Sequence, residues 1–232
     1  MKLGMIVLLG VFLIASQGFA QEQLVLKDQK EKISYIIGMD IGQNLKKQSI
    51  HVDPDILARG LKDGLSGGKP PLSEQEIRET TAAFQKEVKA KQEEMIKKLA
   101  AKNKTEGEAF LAENKKKEGV QTLPSGLQYK VIRAGTGPKP QATDTVTTHY
   151  RGTLIDGREF DSSYRRGKPE TFQVKGIIPG WTEAMQLMEV GAKWQLFIPS
   201  NLAYGERGAG REIGPNAALI FEVELISIQE KK

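Results

Sequence analysis

The chain has 232 residues, of which 39% are hydrophobic and 27% charged, and it contains no cysteine. That balance is ordinary for globular proteins and supplies apolar material for one or two modest cores; without cysteine, disulfides and thiolate metal sites are excluded. The formal net charge of +5 is mild and spread along the chain with no basic stripe, so nucleic-acid binding lacks electrostatic support and no nucleic-acid partner is expected.

Met1 to Ala20 begins with basic Lys2, continues through the apolar run "MIVLLGVFLIA", and ends in "SQGFA", where small Gly18 and Ala20 precede a cut. Residues 1–20 are therefore predicted to be a cleaved export signal. A membrane anchor fits less well, because the apolar run is shorter than the roughly 20 residues a spanning helix needs and polar "QEQ" follows at once.

The next segment, 21–72, is predicted to be helical. In "DQKEKISYIIGMDIGQNL" Asp28 and Glu31 have the spacing of an N-cap and its capping-box partner, and Ile33, Ile36, Ile37, Ile41 and Leu45 recur at helical spacing. A second helix opens at "DPDILARGLKDGL", with Asp53 as cap and Pro54 at the first helical position, and Gly67 and Gly68 close it. Helices this short form a poor core alone, which predicts self-association through them.

Ser73 and Glu76 make another capping box, and from there to Glu118 there is no proline and only Gly107 as a weak point. Ile77, Val88, Leu99 and Phe110 recur every eleven residues, close to the natural helical period, so the stripe runs almost straight along the helix. Residues 73–118 are predicted to form one long connecting helix, roughly 65 Å at 1.5 Å per residue, with an interruption at "NKTEGE" as the alternative. Its narrow stripe among Lys, Glu, Gln and Ala marks a solvated spacer. Asn103-Lys104-Thr105 fits a glycosylation sequon, a match that arises often by chance.

From Gly119 to Lys232 the pattern changes to strands and turns. Leu127, Tyr129 and Val131 alternate with Gln128 and Lys130; Val146, Thr148, Tyr150 and Leu154 share one parity; and "ALIFEVELISI" sets Leu219, Phe221, Val223 and Leu225 on one face against Glu222 and Glu224. The one good helical pattern is "GWTEAMQLM", with Trp181, Met185 and Met188 along one side. An α+β fold is predicted, an antiparallel sheet curled over a short helix.

No nucleophilic or metal constellation is present in this half. His51 and His149 are far apart, His149 reads as structural, and a triad or zinc site lacks parts. "GERGAG" has no following Lys-Ser/Thr, so it is a poor phosphate cradle. What remains is an apolar and aromatic set in a particular order: "VTTHYRGTLIDGREFDSSYRRGKP", then "GIIPGWTEAMQLMEVGAKWQLFIPSNLAYGERGAG", then "NAALIFEVELI".

That order resembles the FKBP-type peptidyl-prolyl isomerase domain, over about Gly119 to Gln229, and the helical region before it is similar to the N-terminal dimerisation module of the macrophage infectivity potentiator type. The resemblance implies an isomerase acting on Xaa-Pro bonds of unfolded or partly folded polypeptides in the periplasm or at the outer membrane, dimeric through its N-terminal helices, with chaperone activity. It implies no cofactor and no metal, and a pocket that also takes macrolide inhibitors. Carried over position by position, it assigns catalytic roles to Phe160, Asp161, Trp181 and Tyr204, and peptide binding to Tyr150, Arg166, Phe172, Ile177, Ile178 and Phe221. Trp181 is the expected floor under the proline ring; the Ile178 N–H and the Tyr204 hydroxyl are the expected donors to peptide carbonyls; Asp161 is paired with Tyr150 and Arg166. Glu170, Ala209 and Glu212 depart from the best-known single-domain members at the rim. Two readings compete with the isomerase: a holding chaperone indifferent to proline, and an adaptor that docks proline-containing partners without turnover.

Overall fold

The computed structural model of the protein describes residues 24–229; the export signal expected at residues 1–20 lies outside them. The chain divides between Ser66 and Gly67 into two compact units.

In the first unit, α1 (Gln29–Lys47) and α2 (Pro54–Ser66) begin at the caps that the sequence marks. Asp28 accepts from the Glu31 N–H at 2.8 Å, but the Glu31 carboxylate turns back to the Lys27 N–H at 2.6 Å, one residue further out than a standard capping box. Asp53 accepts from the Asp55 and Ile56 N–H groups at 2.9 and 3.1 Å, and Gly67, at φ +70°, takes the left-handed conformation that ends a helix. No residue of either helix is buried: Ile33, Ile36, Ile37, Leu57, Leu61 and Leu65 all stand exposed.

The second unit opens with α3 (Glu74–Asn114), 41 residues uninterrupted through "NKTEGE". Its capping box closes in both directions, Glu76 N–H to Ser73 Oγ at 3.2 Å and Ser73 N–H to Glu76 Oε2 at 2.8 Å. Phe84, Met95 and Leu99 are exposed, as a solvated helix requires. The last turns are different, because they pack on the sheet. Gly107 is not a weak point but a close contact, where a Cβ would come within 3.1 Å of the Ala218 Cβ. Asn103 of the sequon is used internally, its Nδ2 donating to the Pro215 carbonyl at 2.8 Å.

Seven strands follow: β1 (Val120–Thr122), β2 (Gln128–Arg133), β3 (Thr145–Leu154), β4 (Glu159–Ser162), β5 (Glu170–Gln173), β6 (Lys193–Ile198) and β7 (Leu219–Ile228). They pair antiparallel in the order β1-β2-β6-β7-β3-β4, with β5 also on β3. The fold is α+β. The period-two pattern of β7 puts Leu219, Phe221, Val223 and Leu225 inward, opposite Leu196, Ile198 and Trp194 of β6, and Ala184 and Met185 of α4 (Pro179–Met185) join the same core.

On β2 the expected alternation fails. Gln128 is buried and Val131 is 40% exposed. Gln128 is buried because α3 covers the outer face at that point: Gln128 Nε2 donates to the Leu111 carbonyl at 2.8 Å, Asn114 Nδ2 donates to Gln128 Oε1 at 3.0 Å, and Phe110 meets Phe197 with ring centroids 6.0 Å apart. The buried Gln128 amide is tolerable there because both of its polar atoms are bonded.

Candidate active site

Five elements each send one aromatic ring to the same place: Tyr150 from β3, Phe160 from β4, Phe172 from β5, Trp181 from α4 and Phe221 from β7. Trp181 is 4% exposed and is met edge-on by Tyr150, Phe172 and Phe221, at centroid distances of 5.3, 5.9 and 5.2 Å and interplanar angles of 88°, 78° and 84°. Such T-shaped contacts suit the ring quadrupole and add about 0.5–1.5 kcal/mol each beyond buried area. Phe160 stands edge-on to Phe221 at 5.4 Å. This last contact depends on Gly152, which pairs with Phe221 and Asp161 across the ladder. A Cβ there would fall 2.6 Å from Phe160 and 2.7 Å from Phe221.

These rings enclose one side of an open cavity of about 700 Å3, which Asp161, Ile177, Ile178 and Tyr204 also line. The structure therefore gathers the expected residues Tyr150, Phe160, Asp161, Phe172, Ile177, Ile178, Trp181, Tyr204 and Phe221 around one space. Arg166 does not line it but stands behind Asp161. Of the three rim departures, Ala209 and Glu212 line the cavity, whereas Glu170 lies outside it and accepts from Arg166 Nε at 3.0 Å. The sequence reading missed Ile213, 7% exposed and part of the lining, along with Gly176, Gly210 and Arg211. The available signal for Ile213 was one β-branched apolar residue in an otherwise polar, glycine-rich loop.

The polar side of the cavity is a closed hydrogen-bond set. The Tyr150 hydroxyl donates to Asp161 Oδ2 at 2.6 Å; Arg166 donates from Nη2 to the Tyr150 oxygen at 2.7 Å and from Nη1 to Asp161 Oδ1; and the Ser162 N–H donates to Asp161 Oδ1 at 2.8 Å. Burial alone would raise the Asp161 carboxyl, but the bond from Tyr150 and then the pairing with Arg166 outweigh it and hold the group below the usual carboxylate range. Burial, with the neighbouring Asp161 charge, pushes the Tyr150 hydroxyl up to about 12. Burial and the Asp161 charge also raise Tyr204, whose hydroxyl has no hydrogen-bond partner among the described residues. The Ile178 N–H, just before α4, is likewise without a partner among them.

Around neutral pH, then, Asp161 is ionised and both tyrosines are protonated. None of the three is poised to exchange a proton, which general acid–base catalysis would require. The site offers an apolar box, two donors without a partner among the described residues, and a fixed negative edge at Asp161.

Comparison with known proteins points the same way. Residues 30–131 match the family described as "Domain amino terminal to FKBP-type peptidyl-prolyl isomerase", and residues 137–226 match "FKBP-type peptidyl-prolyl cis-trans isomerase". The chain is 51% identical to the outer membrane protein MIP of Legionella longbeachae over 91% of both chains. It is 46% identical to the peptidyl-prolyl cis-trans isomerase Mip of Coxiella burnetii, over 89% of this chain and 90% of that one. Among solved structures, FkpA from Escherichia coli is 39% identical and superposes with a TM-score of 0.71, covering 88% of this chain and 99% of the other.

Proposed function

Because this chain belongs to the FKBP-type peptidyl-prolyl cis-trans isomerases and is such an isomerase, we propose that it turns the Xaa-Pro bond in the aromatic cavity, with the proline ring on Trp181. The observation that carries this is the indole itself, buried and walled by three edge-on rings.

The reaction is a rotation against amide resonance, with a barrier of about 18–20 kcal/mol. The planar amide separates charge between oxygen and nitrogen, and the twisted transition state has lost much of that separation. An apolar wall therefore disfavours the planar state more than the twisted one, which is binding in the transition state's favour. The Ile178 N–H and the Tyr204 hydroxyl, both without a partner among the described residues, are the donors we assign to peptide carbonyls; such preset donors act without reorganisation at the moment of reaction. Asp161 presents its charge to the polarised amide and orients Tyr150, while Arg166 keeps that charge in place. Phe160, Phe172, Ile177 and Phe221 form the walls, and we assign macrolide inhibitors to the same space.

We assign residues 21–72 to a dimerisation module, 73–118 to the connecting helix and 119–232 to the isomerase domain. The exposed isoleucines and leucines of α1 and α2 support the first assignment, since apolar stripes on so small a unit need a second copy to be covered. Two catalytic domains on one dimer raise the effective concentration of prolines from a single client. The export-signal pattern and the name of the Legionella relative support a periplasmic location with outer-membrane association, where proline-containing unfolded chains are the clients.

The test is refolding of one proline-limited and one proline-independent client by the full chain and by the double variant Tyr204→Phe plus Asp161→Ala. The double variant is expected to lose acceleration of the proline-limited client while still suppressing aggregation. Undiminished acceleration would refute the pocket assignment; loss of aggregation suppression would refute a separate chaperone role for the N-terminal module.

A further inference from the structure

We propose that α3 belongs to the support of the isomerase site, with Asn103 as the positioning residue for the loop between Tyr204 and Ala218. The proposal rests on the pocket assigned above.

That loop supplies Tyr204, Ala209, Glu212 and Ile213 to one side of the cavity. It is closed on itself: Ala209 and Ile213 exchange N–H···O bonds at 2.8 and 3.1 Å, and the Asn216 N–H, with Asn216 at φ +55°, donates to the Gly205 carbonyl at 2.8 Å. Those bonds fix the loop's shape but not its position. Its outer side meets α3. Asn103 Nδ2 donates to the Pro215 carbonyl at 2.8 Å, and Asn216 Nδ2 reaches the Ala100 carbonyl at 3.5 Å. Gly214 lies so close that a Cβ would be 2.9 Å from Asn103 Nδ2 and 3.3 Å from Leu99 Cδ2, and Gly107 meets Ala218 in the same way.

The rest of this interface is not continuous packing. A cavity of about 330 Å3 separates helix and loop, lined among others by Lys104, Glu108, Asn201, Glu206 and Asn216. From the strand side Arg158 holds the loop through the Glu212 carboxylate and carbonyl at 3.3 and 3.4 Å. On the helix side it is held by a few contacts, of which the Asn103 bond, the shortest hydrogen bond of either set, sits two residues from Ile213. When its donor is lost, the Pro215 carbonyl is unpaired, the loop moves outward, and Ile213 and the Tyr204 hydroxyl leave their places against the substrate.

In the full chain, Asn103→Ala and Asn103→Asp are expected to lower kcat/KM on a proline tetrapeptide by about three- to tenfold, the worth of one such bond. Amide hydrogen exchange at Ala209 and Ile213 is expected to quicken in both, a change that a general loss of stability would not confine to this loop. Lys98→Ala, on the exposed side of the helix, is expected to match the native chain in both measurements. Should Asn103→Ala fold poorly by circular dichroism, Asn216→Gly keeps the positive φ and the backbone bond, removes only the Ala100 contact, and is expected to quicken the same two amides. Native exchange and native kcat/KM in the variants that fold would overturn the proposal, as would a loss of kcat/KM with native exchange at Ala209 and Ile213. The double variant Tyr204→Phe plus Asp161→Ala measured in parallel separates the two readings. If it leaves the rate unchanged the pocket assignment fails; if it slows turnover while Asn103→Ala does not, only the role of α3 fails.

Discussion

Asp161→Asn isolates the charge of the carboxylate fixed beside Tyr150 at the cavity wall. The amide keeps the volume and still accepts from Tyr150, so the aromatic box stays closed. What is lost is the negative edge facing the substrate and the pairing with Arg166. Two unit charges about 5 Å apart interact by about 3 kcal/mol at an effective dielectric of about 20. A rotating amide changes only a partial charge, which leaves about 1 kcal/mol, a fivefold effect on rate. The stability cost is smaller, because the Asp161 and Arg166 side chains are 39% and 36% exposed and solvent screens the pair to roughly 0.5 kcal/mol. The assay is cis-to-trans isomerisation of a proline tetrapeptide at about 10 °C, where uncatalysed exchange takes minutes, with thermal unfolding in parallel. A drop of about fivefold in kcat/KM with the melting temperature within a few degrees is expected; an unchanged kcat/KM would refute a role for the charge. The pH dependence follows from the lowered carboxyl of Asp161. A depressed folded-state value contributes stability that is complete above the unfolded-state range and is lost as pH falls through the folded value. The native rate should therefore be level from neutrality down to the ordinary carboxylate range and decline only below it, whereas the asparagine variant should show no such decline.

Tyr204→Phe removes a hydroxyl without a partner among the described residues and should leave unfolding stability within about 0.5 kcal/mol while lowering kcat/KM severalfold; native kinetics would remove it from the donors. In a spectrophotometric alkaline titration, one tyrosine should resist ionisation until about 12, and Tyr150→Phe should abolish that last step. Because the folded value is raised, the Tyr150 contribution to stability is complete below the unfolded value and is lost as pH rises from about 10 towards the folded value. Sedimentation at micromolar concentration should show a dimer, and Ile37→Glu, on the exposed stripe of α1, should shift it to monomer with tetrapeptide isomerisation unchanged; a native monomer would refute the dimerisation module.

Local chemistry was legible along the chain. Asp28, Asp53 and Ser73 cap helices where their spacing to following donors says they must, and the alternation of Leu219, Phe221, Val223 and Leu225 orients β7, because caps and side-chain period depend only on near neighbours. The pocket residues were recognisable in their order rather than by any physical property of single positions, since a Trp or Phe destined for a cavity wall reads the same as one destined for a core. What only the tertiary structure decided were features made by segments distant in sequence. Gln128 is buried because α3 covers the outer face of the sheet; Gly152 is required because Phe160 and Phe221 converge on the place of its absent Cβ; Ile213 lines the cavity because its loop folds back and is met from behind by Asn103. In each case the local pattern states what a side chain can do, and a surface from elsewhere in the chain decides which face is covered and which remains open.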